Sequence, residues 1–524
     1  VANTYYLTPT IASGLAIDDV PLTIDGVDFK LKSVLSLTEI TVETTVAASV
    51  GTTITSGSSV EWIYADTNSA LKETGWSVQA ENHWIYQDNH SLPIIFNGSD
   101  SRRSIPADNE VPVGNVMAYS MGRLVVALTN RTSFRIGDLV WGAGSRSDIL
   151  RFTENDFLNE GGDFGVPIGY GPITAMKNLS MMDTQLGQGP LMVGTPGVIC
   201  TLNLPFDRTT WKNLTNPIQT ITPVLGPTAQ DSTVNVNTDI WYRGTDNGIH
   251  SFIQARRDFT TWGNTPQSTE LGKTLEHDSA WMLDRGSSVF FENRLLETCS
   301  PTDSSMGVWH RGLVALDFNL ISSLQGKTAP AWEGIWSGLR ILKIVTGLVS
   351  GKQRCFIYAL DDAKEISVWE IDSGATLDNF VTPITWTANF PSYNFADGFS
   401  LKKLESGELF VDRVRGVVDI KMKFRADQHP CWHLWDTFSF CGKITDCGPF
   451  ACAGPMTSLR EQFRGKLKLH QPLDTWDEIN DRLYRTGYEF QPRIEVTGFC
   501  QLRQIRILAV PMPETVNAER PLVC

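Results

Sequence analysis

The chain is 524 residues long, 41% hydrophobic with 16 Trp and 25 Phe, and carries a formal charge of −14 at neutral pH. That length exceeds what one hydrophobic core holds, so two or three folded domains are expected, and the aromatic content excludes long disordered tracts. The acidic balance excludes adhesion to nucleic acid through overall charge, and no apolar run approaches the ~18 to 20 residues of a membrane-spanning helix.

Residues 1–110 form a first region. It is rich in Thr, Ser, Val and Ile, and runs such as Glu39 to Gly57 alternate and are broken by Gly, which predicts a β-rich arm or small sandwich for docking. The start, VANTYYLTPT, lacks the basic and apolar segments of a secretion signal, so a soluble protein folded in the cytoplasm is expected. Residues 1–120 hold 14 acids against 5 Lys and Arg, whereas residues 401–524 hold 16 against 18, so the two ends differ in sign.

Residues 111–428 are the most regular part. Apolar or β-branched runs broken by Gly, Asn or Asp recur about every 50 to 65 residues. They start at Gly122 (GRLVVALTN), Gly189 (GPLMVGTPGVICTL), Thr238 (TDIWYRGTDNGIHSF), Ser287 (SSVFFENRLLETC), Arg354 (RCFIYALDDAKEISVWEI) and Phe399 (FSLKKLESGELFVD). Each reads as a hairpin, and a hairpin cannot bury its own faces. The fold class is therefore all-β, with a β-propeller-like central domain of about five to seven irregular blades and β-rich N- and C-terminal extensions. Trp141, Trp211, Trp241, Trp262, Trp281, Trp309, Trp332, Trp369 and Trp386 fall in or beside these runs and read as blade cores, with a sugar-stacking platform as the alternative.

Residues 429–524 change character. Ser458 to Leu469 and Asp474 to Arg485 permit short helices, and Pro492 to Pro511 alternates as two strands joined at Gly498, giving a β-rich cap with short helices. Arg460, Arg464, Lys466 and Lys468 read as a solvated helix face that also suits DNA or an acidic partner.

Chemistry-bearing patterns are scarce. There is no GxSxG, HExxH, GxxxxGK[ST] or strand-to-helix GxGxxG. Asp361 and Asp362 sit where a turn is expected. The run Gly244 to Phe252 approaches the S/T-x-D-x-G-x-T-W turn of sialidases, but Gly244 replaces the Ser or Thr and the aromatic falls one place late. Arg256, Arg257, Arg294, Arg311 and Arg340 offer an arginine cluster of the kind that also pairs acids between blades. Cys200, Cys299 and Cys355 read as core. Cys431, Cys441, Cys447 and Cys452, with His429 and His433, lack zinc-site spacing. No catalytic, cofactor-binding or metal residue is assigned, and no cofactor or enzymatic activity is expected.

The runs Asp108 to Asp156, Phe164 to Met176, Asp183 to Leu202, Arg256 to Ser268 and Glu292 to Leu296 resemble bacteriophage virion proteins of the tail nozzle and packaged-DNA stabilisation type, the head–tail connector proteins that contain a β-propeller. The resemblance implies a structural protein of the virion tail, assembled in the host cytoplasm as a homo-oligomeric ring, with a hexamer as one option. Such a ring contacts portal, adaptor, other tail proteins and tail fibres, and forms a channel that retains packaged DNA and lets it leave without sequence-specific binding. A receptor- or glycan-binding propeller is the alternative, and a glycosidase comes third.

Overall fold

The computed structural model describes five strands within residues 1–62 and, with interruptions, residues 74–512. The chain divides into two compact units, Val1–Ile371 and Asp372–Cys524.

In the first unit the N-terminal strands Ala2–Tyr6, Val20–Ile24, Val27–Ser36, Glu39–Thr44 and Val60–Trp62 make one antiparallel sheet, with Val27–Ser36 at its centre. Five antiparallel sheets then follow in chain order. They span Trp76–Arg103, Gly114–Gly165, Ala175–Thr222, Thr233–Ser251 and Ser288–Ile371, and hold four, four, four, three and six strands. Each of these five sheets is a meander in which each strand pairs with the next. The turns explain this. Met121–Gly122, Glu292–Asn293 and Ser350–Gly351 each place two successive residues at positive φ, the backbone of a two-residue hairpin turn whose twist matches the strands it joins.

Each sheet buries its faces on its neighbours. Ile85, Ile95, Leu124 and Val126 form a core between the first and second sheets, and Val125, Ile136, Met176 and Leu191 between the second and third. Met192 and Ile199 meet Ile240 and Tyr242, and Trp241 and Ile249 meet Leu295 and Val314. The first strand of every sheet lies against the first strand of the next. Stacked meanders joined through their first strands are a propeller-like arrangement, as the repeat predicts.

Side-chain amides lace this line of first strands. Asn178 Nδ2 donates to the Tyr119 carbonyl, and Asn235 Nδ2 donates to the Asn178 carbonyl at 3.2 Å. Gln230 both accepts from the Met176 N–H at 2.7 Å and donates to the Met176 carbonyl at 2.9 Å. The partners in these bonds are 59, 57 and 54 residues apart, which is the period of the hairpins.

The second unit is built on two long strands, Lys402–Ala426 (25 residues) and Phe490–Pro511 (22 residues), paired antiparallel along most of their length. Alternation of buried and outward side chains, reset at irregularities after Leu404 and around Asp412, explains their length, since Leu404, Leu409, Val411, Val418, Ile420, Met422 and Phe424 turn to one core with Ile494 and Val496. The register shifts between Asp412 and Asp419, where Arg413 and Gly416 take positive φ. Before that bulge the strand pairs with Glu461–Leu469, and after it with His433–Phe440.

Several expectations need correction. The run at Phe399 is not a hairpin, because Gly407 sits inside the long strand, where a Cβ would lie 2.7 Å from the Arg506 carbonyl oxygen. Pro492 to Pro511 is one strand, kinked at Gly498, which has φ +106°. Glu461–Leu469 is a strand and not part of a helix, and within Asp474 to Arg485 the described residues form a two-stranded ribbon, Trp476–Asp477 with Arg482–Leu483. The blade series starts at Trp76, ahead of residue 111, and residues 372–428 belong to the compact unit of the C-terminal region, because Lys402–Ala426 pairs with Phe490–Pro511. Among the described residues no helix is long and apolar enough to cross a membrane.

Candidate functional site

Among the described residues of the first unit, a heavily charged buried place lies where the fourth and fifth sheets meet. Arg243 ends the strand Asp239–Arg243, Asp278 sits in the helical connector between these sheets, His310 opens the strand His310–Asp317, and Glu297 lies on Arg294–Cys299. All four are at most 4% exposed. Arg243 Nη2 donates to Asp278 Oδ2 at 2.5 Å and Nη1 to the Thr298 carbonyl at 3.2 Å. His310 Nδ1 lies 3.4 Å from Asp278 Oδ1, while Nε2 donates to the Met282 carbonyl at 2.7 Å.

Burial by itself would raise the Asp278 carboxyl, but His310, Arg243 and Ser300 outweigh it and hold the group below the ordinary carboxylate range. Glu297 goes the other way. Its complete burial outweighs Arg243 and Ser288 and pushes the carboxyl up to about 8, so at neutral pH it is mostly a neutral acid. Closed from solvent, the group acts as a titratable clamp that fixes the connector to two sheets, and it offers no room for a substrate. The only trace in the sequence is polar residues inside apolar runs, DIWYR and RLLETC.

The residues singled out by sequence do not converge. Asp246, in the sialidase-like turn, binds His250 Nε2 at 3.0 Å and the Gly248 N–H at 3.0 Å. Burial would raise that carboxyl, but these partners hold it below its ordinary range, and it closes a turn. Asp361 also closes a turn, accepting from the Glu365 N–H at 2.8 Å. Arg294 pairs with Glu333 at 2.9 Å, while Arg311 lies near the opposite end of the same ladder, next to Gly312, the partner of Cys299. Asp362, Arg256, Arg257, Trp141, Trp211, Trp262, Cys441, Cys447, Cys452 and Arg460 lie outside the described residues.

Trp241, Trp332 and Trp369 pack into sheet cores, Trp386 packs in the second unit, and Trp309 lies under the Arg285 guanidinium at 4.3 Å. Trp281 departs from the core expectation, being 78% exposed. Cys200, Cys299 and Cys355 are buried, and burial pushes the last two thiols up to about 12. His433 stacks on Tyr484 with ring centroids 3.5 Å apart, and among the described residues no three His, Cys, Asp or Glu could hold a metal ion.

Among the described residues of the second unit, a broad cleft of about 420 Å³ is lined by Asn394, Gly398, Asp427, Gln428, Tyr488 and Glu489. Asp427 is committed to the fold, since Oδ1 accepts from the Tyr488 and Glu489 N–H groups at 2.8 and 3.0 Å and Oδ2 pairs with Arg482. The cleft therefore brings no free acid and base together at Asp427.

No family model and no curated protein matches the chain. Among solved structures, BBS1N in complex with ARL6DN is similar at 13% identity and a TM-score of 0.35, covering 61% of this chain and 85% of that one. An auxiliary nutrient binding protein from Bacteroides ovatus is similar at 12% identity and a TM-score of 0.26, covering 70% and 82%. The AfRom2 CNH domain is similar at 10% identity and a TM-score of 0.26, covering 57% and 94%.

Proposed function

We propose that the chain is a structural virion protein, a subunit of a phage tail nozzle or head–tail connector ring through which packaged DNA is retained and later leaves. The observation that carries this reading is the outer edge of the fifth sheet. Among the described residues Ile366–Ile371 ends the strand order, and on one face Ile366 is 66% and Val368 58% exposed, with Tyr358 opposite Val368 and the Arg354–Glu370 ion pair beyond them. An apolar free edge invites pairing with another chain, and soluble proteins cover or charge such edges unless they are used. A ring subunit uses them, because closed rings need two different complementary faces on each copy.

The remaining features fit a scaffold. The polar groups between the fourth and fifth sheets are spent on holding them together, and the acidic total charge lets a duplex slide without adhering broadly. The sequence runs that resemble nozzle proteins are what favours this assembly over others. Trp281 is the residue on which a glycan-binding reading would rest.

Light scattering after size exclusion, with negative-stain images, tests the proposal on the full chain. Closed rings are expected, and I366K/V368E shifts them to smaller species with unchanged circular dichroism. A protein that stays monomeric at tens of micromolar overturns it, and specific glycan binding lost on Trp281→Ala replaces it.

A further inference from the structure

The second unit carries a cationic face that the acidic total charge conceals. Three adjacent strands build it, with Lys402–Ala426 in the middle, Glu461–Leu469 on one side and Phe490–Pro511 on the other. The middle strand contributes Glu408 and Asp412. Arg506 Nη1 and Lys466 Nζ lie 3.4 and 3.6 Å from Glu408 Oε2, and Arg503 and Arg464 lie 3.1 and 3.7 Å from the Asp412 carboxylate. These pairs fix all six side chains on one face, and the exposed Lys468, opposite Glu408 in the ladder, extends the row.

The cations are not consumed by these pairs. Arg464, Lys466 and Arg506 are 68%, 62% and 68% exposed and Arg503 is 47% exposed, so five cations surround two acids and leave a net of three positive charges. Geometry spaces them regularly. Arg464, Lys466 and Lys468 step by about 7 Å along their strand, and the row holding Arg503 and Arg506 runs two strand spacings, about 10 Å, away.

We infer that this face is a sequence-independent contact for the phosphate backbone of double-stranded DNA, the place where the nozzle holds the duplex it otherwise lets slide. A duplex carries one charge per about 1.7 Å of axis, so it matches any unpaired cation on a flat surface. A flat sheet face does not enter a groove, so bases go unread. Composition favours DNA over a protein partner: interface cores between proteins accept Arg but are depleted in Lys and anchored by aromatic residues, whereas these rows expose Lys466, Lys468 and Gln504 beside the Arg residues, with the apolar Leu508 and Val510 only beyond them. The choice of DNA as the polyanion rests on the proposed nozzle role.

The test is fluorescence anisotropy of two unrelated duplexes of about 20 base pairs with the full chain, alongside light scattering. Equal affinity for both sequences is expected, with log K falling against log salt at a slope of about −2.7 for a net of three charges. K466Q/K468Q/R506Q leaves Arg464 and Arg503 on the buried Asp412, so it keeps the fold and loses binding at least about tenfold at low salt, while E408Q, which removes an interleaved acid, gains several-fold. Salt-independent binding, or a triple variant equal to the parent, overturns the inference, as does a triple variant that changes assembly mass with no duplex bound by the parent. Rings that bind no duplex sink this contact and leave the ring standing; monomers that bind duplex do the reverse.

Discussion

Arg243 and Asp278 face each other at 2.5 Å with their side chains 1% and 0% exposed, so water solvates neither charge and each is the other's ionic partner, beside the Thr298 carbonyl at Arg243 and His310 at Asp278. Removing one partner leaves the other buried and unpaired, which costs about 3–5 kcal/mol. Asp278→Ala should therefore lower the urea midpoint sharply. Replacing both by apolar residues of similar volume should restore much of the loss, because the desolvation cost goes with the charges. A double variant as unstable as the single one would show that packing around the pair, and not charge, is decisive.

The bonds from Asn235 to Asn178 and from Asn178 to Tyr119 tie three consecutive first strands through one kind of contact. Asn178→Ala and Asn235→Ala should each cost about 1–2 kcal/mol, the net value of a hydrogen bond plus part of the cost of a carbonyl left without it. The Asn235 bond uses the Asn178 backbone carbonyl and not its side chain, so the two losses should add within about 0.5 kcal/mol. Urea denaturation of both single variants and the double one checks this. Strong non-additivity would mean that the sheets shift as a body when one link is cut.

These elements also mark what the sequence discloses. Turns such as Glu292–Asn293 are readable because the φ > 0 requirement is local and shows in residue type. Gly407 gives the same signal for another reason, close approach of a partner strand, and only the partner distinguishes the two. In Glu461–Leu469, Phe463 and Leu467 satisfy a helical spacing, but Leu467 and Leu469 also alternate, and pairing with the 25-residue strand settles it. The cationic face was half legible. Arg464, Lys466 and Lys468 stand together in the chain, whereas Arg503 and Arg506 join them only through strand pairing, whose register shifts at Arg503 itself. The Arg243 clamp was hidden because its four members come from separate segments.

Gly498 has φ +106°, and a Cβ there would stand 2.4 Å from the Val417 carbonyl oxygen. Both the backbone angle and the space demand glycine, and the oxygen belongs to backbone in the bulge between Arg415 and Asp419, held on both sides by paired residues of the long strand. Gly498→Ala should cost about 2 kcal/mol or more, read as a lowered midpoint for the second unit. Gly347, with nothing within 4 Å of its Cβ position and an ordinary φ, is the control, and Gly347→Ala should change stability little. Equal effects at both sites would refute the strain argument.

Glu297 sets a pH dependence of opposite sign to that of most carboxylates. Its carboxyl is raised from 4.5 to about 8, so the folded chain holds a proton that the unfolded chain releases. The contribution is fully present below about pH 4.5, declines as the unfolded state ionises, and is gone above about pH 8, a change on the order of a few kcal/mol. Asp278 and Asp246, both held low, act in the other direction and below the ordinary carboxylate range, so they do not mask this window. Urea midpoints of the parent should fall between pH 5 and about pH 8, while Glu297→Gln, neutral throughout, should remove that component of the slope. Parallel curves for the parent and the glutamine variant across this range would mean that Glu297 is ionised in the fold and that Arg243, not burial, governs it.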